Sequence, residues 1–151
     1  MMKKVLITAW MVAVASIGFA TVADAVQPAE KPFINVSTSP DRLDLGTASF
    51  AGAHNVPRAL TVQVDSNCLH GPITISATTL RHDLGVSIPP ERIFVRSKET
   101  RGFVPMNRPV RISAPTSGSH RIVLDLRVQT GFKNLAGNYR GTFMVTVMPP
   151  V

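Results

Sequence analysis

The chain of 151 residues holds a single cysteine, Cys68, and therefore cannot close an intramolecular disulfide. A disulfide-stapled framework is excluded, and stability must come from packing. Cys68 reads as a small residue at a strand end, with pairing between chains as the alternative. A catalytic thiol needs a base beside it, and His70, two residues on, at most shares a strand face with it. Ser, His and Asp are all present, yet no nucleophile elbow surrounds any serine, and there is no Gly-rich phosphate loop. His54, His70, His82 and His120 are scattered. None stands at metal-ligand spacing with a Cys or a carboxylate on one predicted strand. The aspartates fall mostly at turns or on polar strand faces, where capping and solvation are their ordinary uses. No catalytic residue, metal ligand or cofactor is therefore predicted, and the chain is not read as an enzyme.

Acidic charge is also in short supply: nine Asp and Glu against sixteen Lys and Arg give a formal net charge of +7. Such a surface favours anionic partners such as lipopolysaccharide, acidic surface polymers or nucleic acid. Nowhere beyond residue 25 do apolar residues keep helical spacing for three turns, which excludes a helical domain.

What is present begins at the N-terminus. Lys3 and Lys4 precede an almost unbroken apolar run from Val5 to Val22, and Ala23-Asp24-Ala25 supplies the small residues of a signal-peptidase site. Residues 1–25 are expected to be a cleaved signal peptide and residues 26–151 a single domain with no membrane span after cleavage. The product is expected to be secreted, to the periplasm or the cell surface.

Past a short polar leader, two-residue alternation takes over. Phe33–Thr38 alternates, Arg42–Gly46 continues with Leu43 and Leu45 on one face, and Ala59–Asp65 sets Leu60, Val62 and Val64 against Thr61, Gln63 and Asp65. Ile73–Ala77, Val86–Ile88, Arg92–Ser97 and Gly102–Pro105 follow, the last two as a hairpin tipped by Lys98–Arg101. The clearest signals come last. His120–Thr130 places Ile122, Leu124, Leu126 and Val128 opposite Arg121, Asp125, Arg127 and Gln129, and Tyr139–Val147 alternates after the loop Gly131–Asn138. The pattern predicts an all-β fold, an antiparallel β-sandwich of about seven to nine short strands.

Leu135-Ala136-Gly137-Asn138-Tyr139-Arg140-Gly141-Thr142, continued by Phe143-Met144-Val145-Thr146-Val147, resembles the final strand of bacterial secreted immunoglobulin-like domains. Pilus subunits of the spore-coat-U type are among them. The resemblance covers about the last dozen residues. It implies an immunoglobulin-like fold in which Gly137 permits a tight loop, Tyr139 sends its hydroxyl back to a loop carbonyl, and Gly141 and Thr142 open the strand. It also implies a structural or assembly role, with other envelope proteins or further copies of the chain as partners through edge strands. The chain differs from those subunits in its solitary mid-chain Cys68 and in Pro28 and Pro32, which cannot donate ladder hydrogen bonds. The basic residues Arg92, Arg96, Lys98, Arg101, Arg108 and Arg111, opposed locally only by Glu91 and Glu99, form a second candidate, an anionic-ligand patch around the hairpin. On that reading the chain is a monomeric binder of an anionic surface polymer; nucleic acid is not the expected partner.

Overall fold

A computed structural model describes residues 29–44, 51–134 and 136–149 of the chain. The predicted signal peptide and its cleavage point lie outside these residues, and Lys31–Val151 forms one compact unit. The fold is all-β. Its strands are β1 (Ile34–Ser39), β2 (Gly52–Ser66), β3 (Ile73–Ala77), β4 (Leu80–His82), β5 (Ser87–Ile88) and β6 (Ile93–Arg96). They continue as β7 (Val104–Pro105), β8 (Val110–Ser113), β9 (His120–Thr130), β10 (Tyr139–Arg140) and β11 (Phe143–Val147). All pairings are antiparallel. A five-stranded sheet runs β1-β2-β9-β6-β7, and two three-stranded sheets run β10-β4-β5 and β11-β3-β8.

The pairing of β2 with β9 sets the frame. Its register places Leu60 opposite Leu124 and Val62 opposite Ile122, so the apolar sets of both strands point to one side. Residues opposite one another on such a ladder pack directly, which is the unit of sheet stabilisation. Three residues of β2, Pro57 to Ala59, lie between the pairs Val56–Leu126 and Leu60–Leu124, where β9 has only Asp125. Pro57 has no N–H to give the ladder, so a bulge at this point costs little pairing, and Arg58 takes a left-handed φ of 51° within it.

Side chains from all three sheets meet in one core. Val62, Val64, Leu124 and Leu126 come from the five-stranded sheet, Ile73, Ile75 and Ile112 from the β3 sheet, and Leu80 and Ile88 from the β4 sheet. Ile93, Val95 and Met106 complete it from the β6–β7 side.

Several expectations change. The described residues hold eleven strand segments where about seven to nine were expected. The reason is partly that two strands are broken at the same level. Thr78 and Thr79 separate β3 from β4, and Gly141 and Thr142 separate β10 from β11. The two breaks are stitched together, Thr78 donating its N–H to the Thr142 carbonyl at 2.9 Å and Thr142 donating to the Thr78 hydroxyl oxygen at 2.8 Å. The loop from Gly131 does not form a hairpin: β9 pairs with β2 and β6, whereas β10 and β11 pair with β4 and β3. Arg42–Asp44 is not strand, because Pro40 and Asp41 end the ladder and start a bend. Arg92 closes the short 3-10 turn Pro90–Arg92 and is not on a strand, since Pro89-Pro90 fixes φ for a turn. The strands β4 and β8 were not foreseen; each has too few residues to show alternation.

Leu124 is fully buried at the centre of this core. Leu124→Ala is expected to lower the unfolding free energy by about 2–5 kcal/mol, read as a shifted denaturant midpoint at unchanged slope. A loss well under 1 kcal/mol would mean that the β2–β9 ladder does not organise the core.

Candidate functional site

A concavity of about 1200 Å³ lies between the five-stranded sheet and the two smaller ones. Its floor is core: Leu60 and Val128 from one side, Leu80 and Ile88 from the other. Val36 and Leu43 flank it on the β1 side, and Phe143 and Val145 on the β11 side. Its rim is polar, with Asp41, Arg42, Asp44, His54, Thr130 and Arg140.

Two strand edges border this groove. β1 covers β2 only from Thr61 to Ser66, so the edge of β2 from Gly52 to Leu60 has no strand partner on that side among the described residues. Across the groove, β10 pairs only with β4 and β11 only with β3 among the described residues. Edges of this kind expose ladder donors and acceptors and accept an added strand.

The segment singled out by its resemblance forms one wall, and each of its residues has a packing reason. Gly137 has φ of 143°, and a Cβ there would lie 2.4 Å from Nε2 of His82. A Cβ on Gly141 would meet Leu80 Cδ2 at 2.5 Å. The small residues thus let β10 lie against β4. Tyr139 is opposite His82 in that pairing, and its ring meets the imidazole edge-on at a centroid distance of 5.1 Å. Thr142 carries the stitch to Thr78.

The basic residues do not stay together. Arg96, Lys98 and Arg101 remain around the β6–β7 hairpin, with Arg101 at a left-handed φ of 58° in its turn. Arg92 packs against Gly131 at the end of β9. Arg108 lies in the exposed turn after β7, and Arg111 is on β8, in a different sheet from Arg96. Arg96 is itself committed: its Nε and Nη2 both donate to Asp125 Oδ2, at 3.0 and 2.7 Å. The other Asp125 oxygen accepts the backbone N–H of Arg58 at 2.8 Å. That bond first, and the Arg96 side chain second, hold the Asp125 carboxyl below the ordinary carboxylate pKa, against a smaller opposing effect of burial.

Two features escaped sequence reading because they join distant residues. His70 and His120 stack with centroids 5.6 Å apart and planes 13° from parallel. Nδ1 of His70 bonds the Gly71 carbonyl at 2.7 Å, whereas His70 Nε2 and both ring nitrogens of His120 are buried without a partner. Phe103 is the other junction: the guanidinium carbons of Arg127 and Arg96 lie 3.9 and 4.7 Å from its ring centroid. No group of three or more His, Cys, Asp or Glu side chains gathers at metal-holding distance among the described residues. Cys68 is partly exposed, its Sγ 3.6 Å from the Phe33 carbonyl. No helix among the described residues is long and apolar enough to cross a membrane. Comparison with protein-family models and with curated proteins finds no match to this chain.

Two outcomes follow from these contacts. Gly137→Ala is expected to cost about 1–3 kcal/mol, since it adds both a strained φ and a collision with His82; a neutral result in thermal unfolding would show that β10 is not held against β4. Asp125→Asn is expected to cost about 1 kcal/mol at neutral pH, a figure kept small because Arg96 is substantially exposed. The folded pKa of Asp125 is depressed, so its stabilisation is complete above the unfolded carboxylate range and disappears as pH falls through the folded value. The gap between wild type and variant should therefore close in acid; a gap that persists there would rule out the charge interaction as its source.

Proposed function

We propose that the chain is an immunoglobulin-like β-sandwich module of the bacterial envelope, exported to the periplasm or cell surface, where it assembles by taking an extended strand from a neighbouring subunit into the groove. The observation that carries this reading is the pairing of an apolar floor with strand edges, on both sides of the groove, that have no strand partner among the described residues. A strand with alternating side chains would satisfy an edge with its backbone and fill the groove with every second residue. The terminal segment similar to spore-coat-U-type pilus subunits forms one wall of that groove, which favours the same reading. A second copy of the chain is the simplest donor. Its Ile34–Ser39 is a short strand that pairs only with β2 among the described residues, and Val36 within it and Phe33 just before it are exposed.

The test is light scattering over a concentration series on residues 26–151, beside Val145→Arg and a version lacking residues 26–38. Assembly through the groove predicts oligomers for the parent chain and monomers for both variants. Val145→Arg leaves β1 intact, so its behaviour does not depend on whether the shortened chain folds. A parent chain that stays monomeric at every concentration, or Val145→Arg oligomers equal to those of the parent, would rule the reading out.

A further inference from the structure

The outer face of the five-stranded sheet, turned away from the groove, collects arginines from three strands. Along β9, Arg121, Asp125 and Arg127 point outward, the two arginines six residues apart and so roughly 20 Å along the strand. Arg58 joins them from the β2 bulge and Arg96 from β6, both beside Asp125. The acids of this face are Asp125, already taken by Arg96, and Asp65 near its end. Among the described residues, the side chains of Arg58, Arg121 and Arg127 form no ion pair.

The guanidiniums of Arg121 and Arg127 are also held in place. Arg127 donates Nε to Asn55 Oδ1 at 2.6 Å and lies over Phe103. Arg121 reaches Gln63 Oε1 at 3.4 Å. A fixed guanidinium loses less freedom when an anion arrives, so its remaining donors bind more effectively than those of a free side chain. Next to Arg121 is a shallow cavity of about 330 Å³ walled by Ser37, Ser39, Thr61 and Gln63. Its lining is hydroxyl and amide, the donor and acceptor set that suits sugar hydroxyls.

We infer that this face binds an acidic polysaccharide, the arginines taking its carboxylate or sulfate groups and the Ser37–Thr61–Gln63 cavity taking a sugar ring. A nucleic acid fits less well, because single-stranded binders need open aromatic platforms and the Phe103 ring is already engaged by two guanidiniums. A lipid surface fits less well too: the exposed Leu84 and Phe132 are in turns and the exposed Met144 is on β11, in another sheet. The arginines of this surface are on β2, β6 and β9, on the opposite side of the sheet from the groove; of the cavity walls, Ser37 and Ser39 come from β1, the strand proposed above as donor.

Binding of the full chain, expressed with its own leader and purified, is to be measured by calorimetry against polygalacturonate and dextran sulfate at several salt concentrations. Single-stranded DNA and neutral dextran serve as comparators. The expected result is binding to either acidic polysaccharide that weakens with salt and exceeds binding to DNA at equal ionic strength. Arg121→Gln and Arg127→Gln should each weaken it about tenfold, the loss of a charge-assisted contact. Thr61→Val should weaken it while leaving the salt dependence unchanged, whereas Lys98→Ala with Arg101→Ala at the hairpin tip should have the smaller effect. These positions are on the surface, and thermal unfolding confirms that each variant is folded. No binding to either polysaccharide, tighter binding to DNA, or a loss confined to the hairpin variant overturns the inference.

Discussion

The ladder between β2 and β9 is the constraint on which the remaining structure depends. No intramolecular disulfide is possible, so strand order has to be held by register and packing, and a slip of one residue would turn every apolar side chain of the slipped strand outward. β1 attaches to the far edge of β2, β6 to the far edge of β9, and β7 to β6. The bulge in that ladder has a second effect. By adding residues opposite Asp125, it brings the Arg58 N–H to the carboxylate, which in turn orients Arg96.

The period of two divides the same strands between two kinds of surface. Leu60 faces the groove and Thr61 the outer sheet; Val128 is groove floor and Arg127 is pinned on the opposite side. A strand added to the groove and a polymer lying on the outer face would therefore be separated by the thickness of one sheet. They would draw on different side chains of β2 and β9, and the outer face would share with the groove only β1, whose Ser37 and Ser39 line the cavity beside Arg121.

Where alternation was long and unbroken, sequence alone located the strand. β9 was read to its ends, and the inward set of β2 from Leu60 to Val64 was read correctly, because a half-buried strand leaves a periodic imprint. The first half of β2 was missed because Pro57 and the bulge interrupt the period. β4 and β8 were missed, being too short for alternation to be distinguishable from chance, whereas β5, β7 and β10 fall within segments that were read as strand. The candidate surfaces were harder still. Gly137, Tyr139, Gly141 and Thr142 stood out in sequence, but the groove beside them is a property of which edges are left uncovered. The basic run from Arg92 to Arg111 was visible as composition, yet the turn at Pro90 and the change of sheet before β8 scatter it. Arg58, Arg121 and Arg127 gather only because β2 and β9, distant in sequence, become neighbours. His70 and His120 are fifty residues apart and stack for the same reason.

The floor of the groove is made of residues that also hold the fold together: Leu60, Leu80, Ile88 and Val128 belong to the core. Occupancy and folding are consequently linked by mass action, since anything that seats there binds the native state and not the unfolded chain. A partner present at a hundred times its dissociation constant would add about 2.7 kcal/mol to the native state, a sizeable fraction of what a domain of this size normally has. The lifetime of the folded chain is then set by its surroundings as well as by its sequence. For the same reason, the groove cannot be reshaped for a new occupant without retuning stability, whereas the side chains of the arginine face are outside the core and can change at smaller cost.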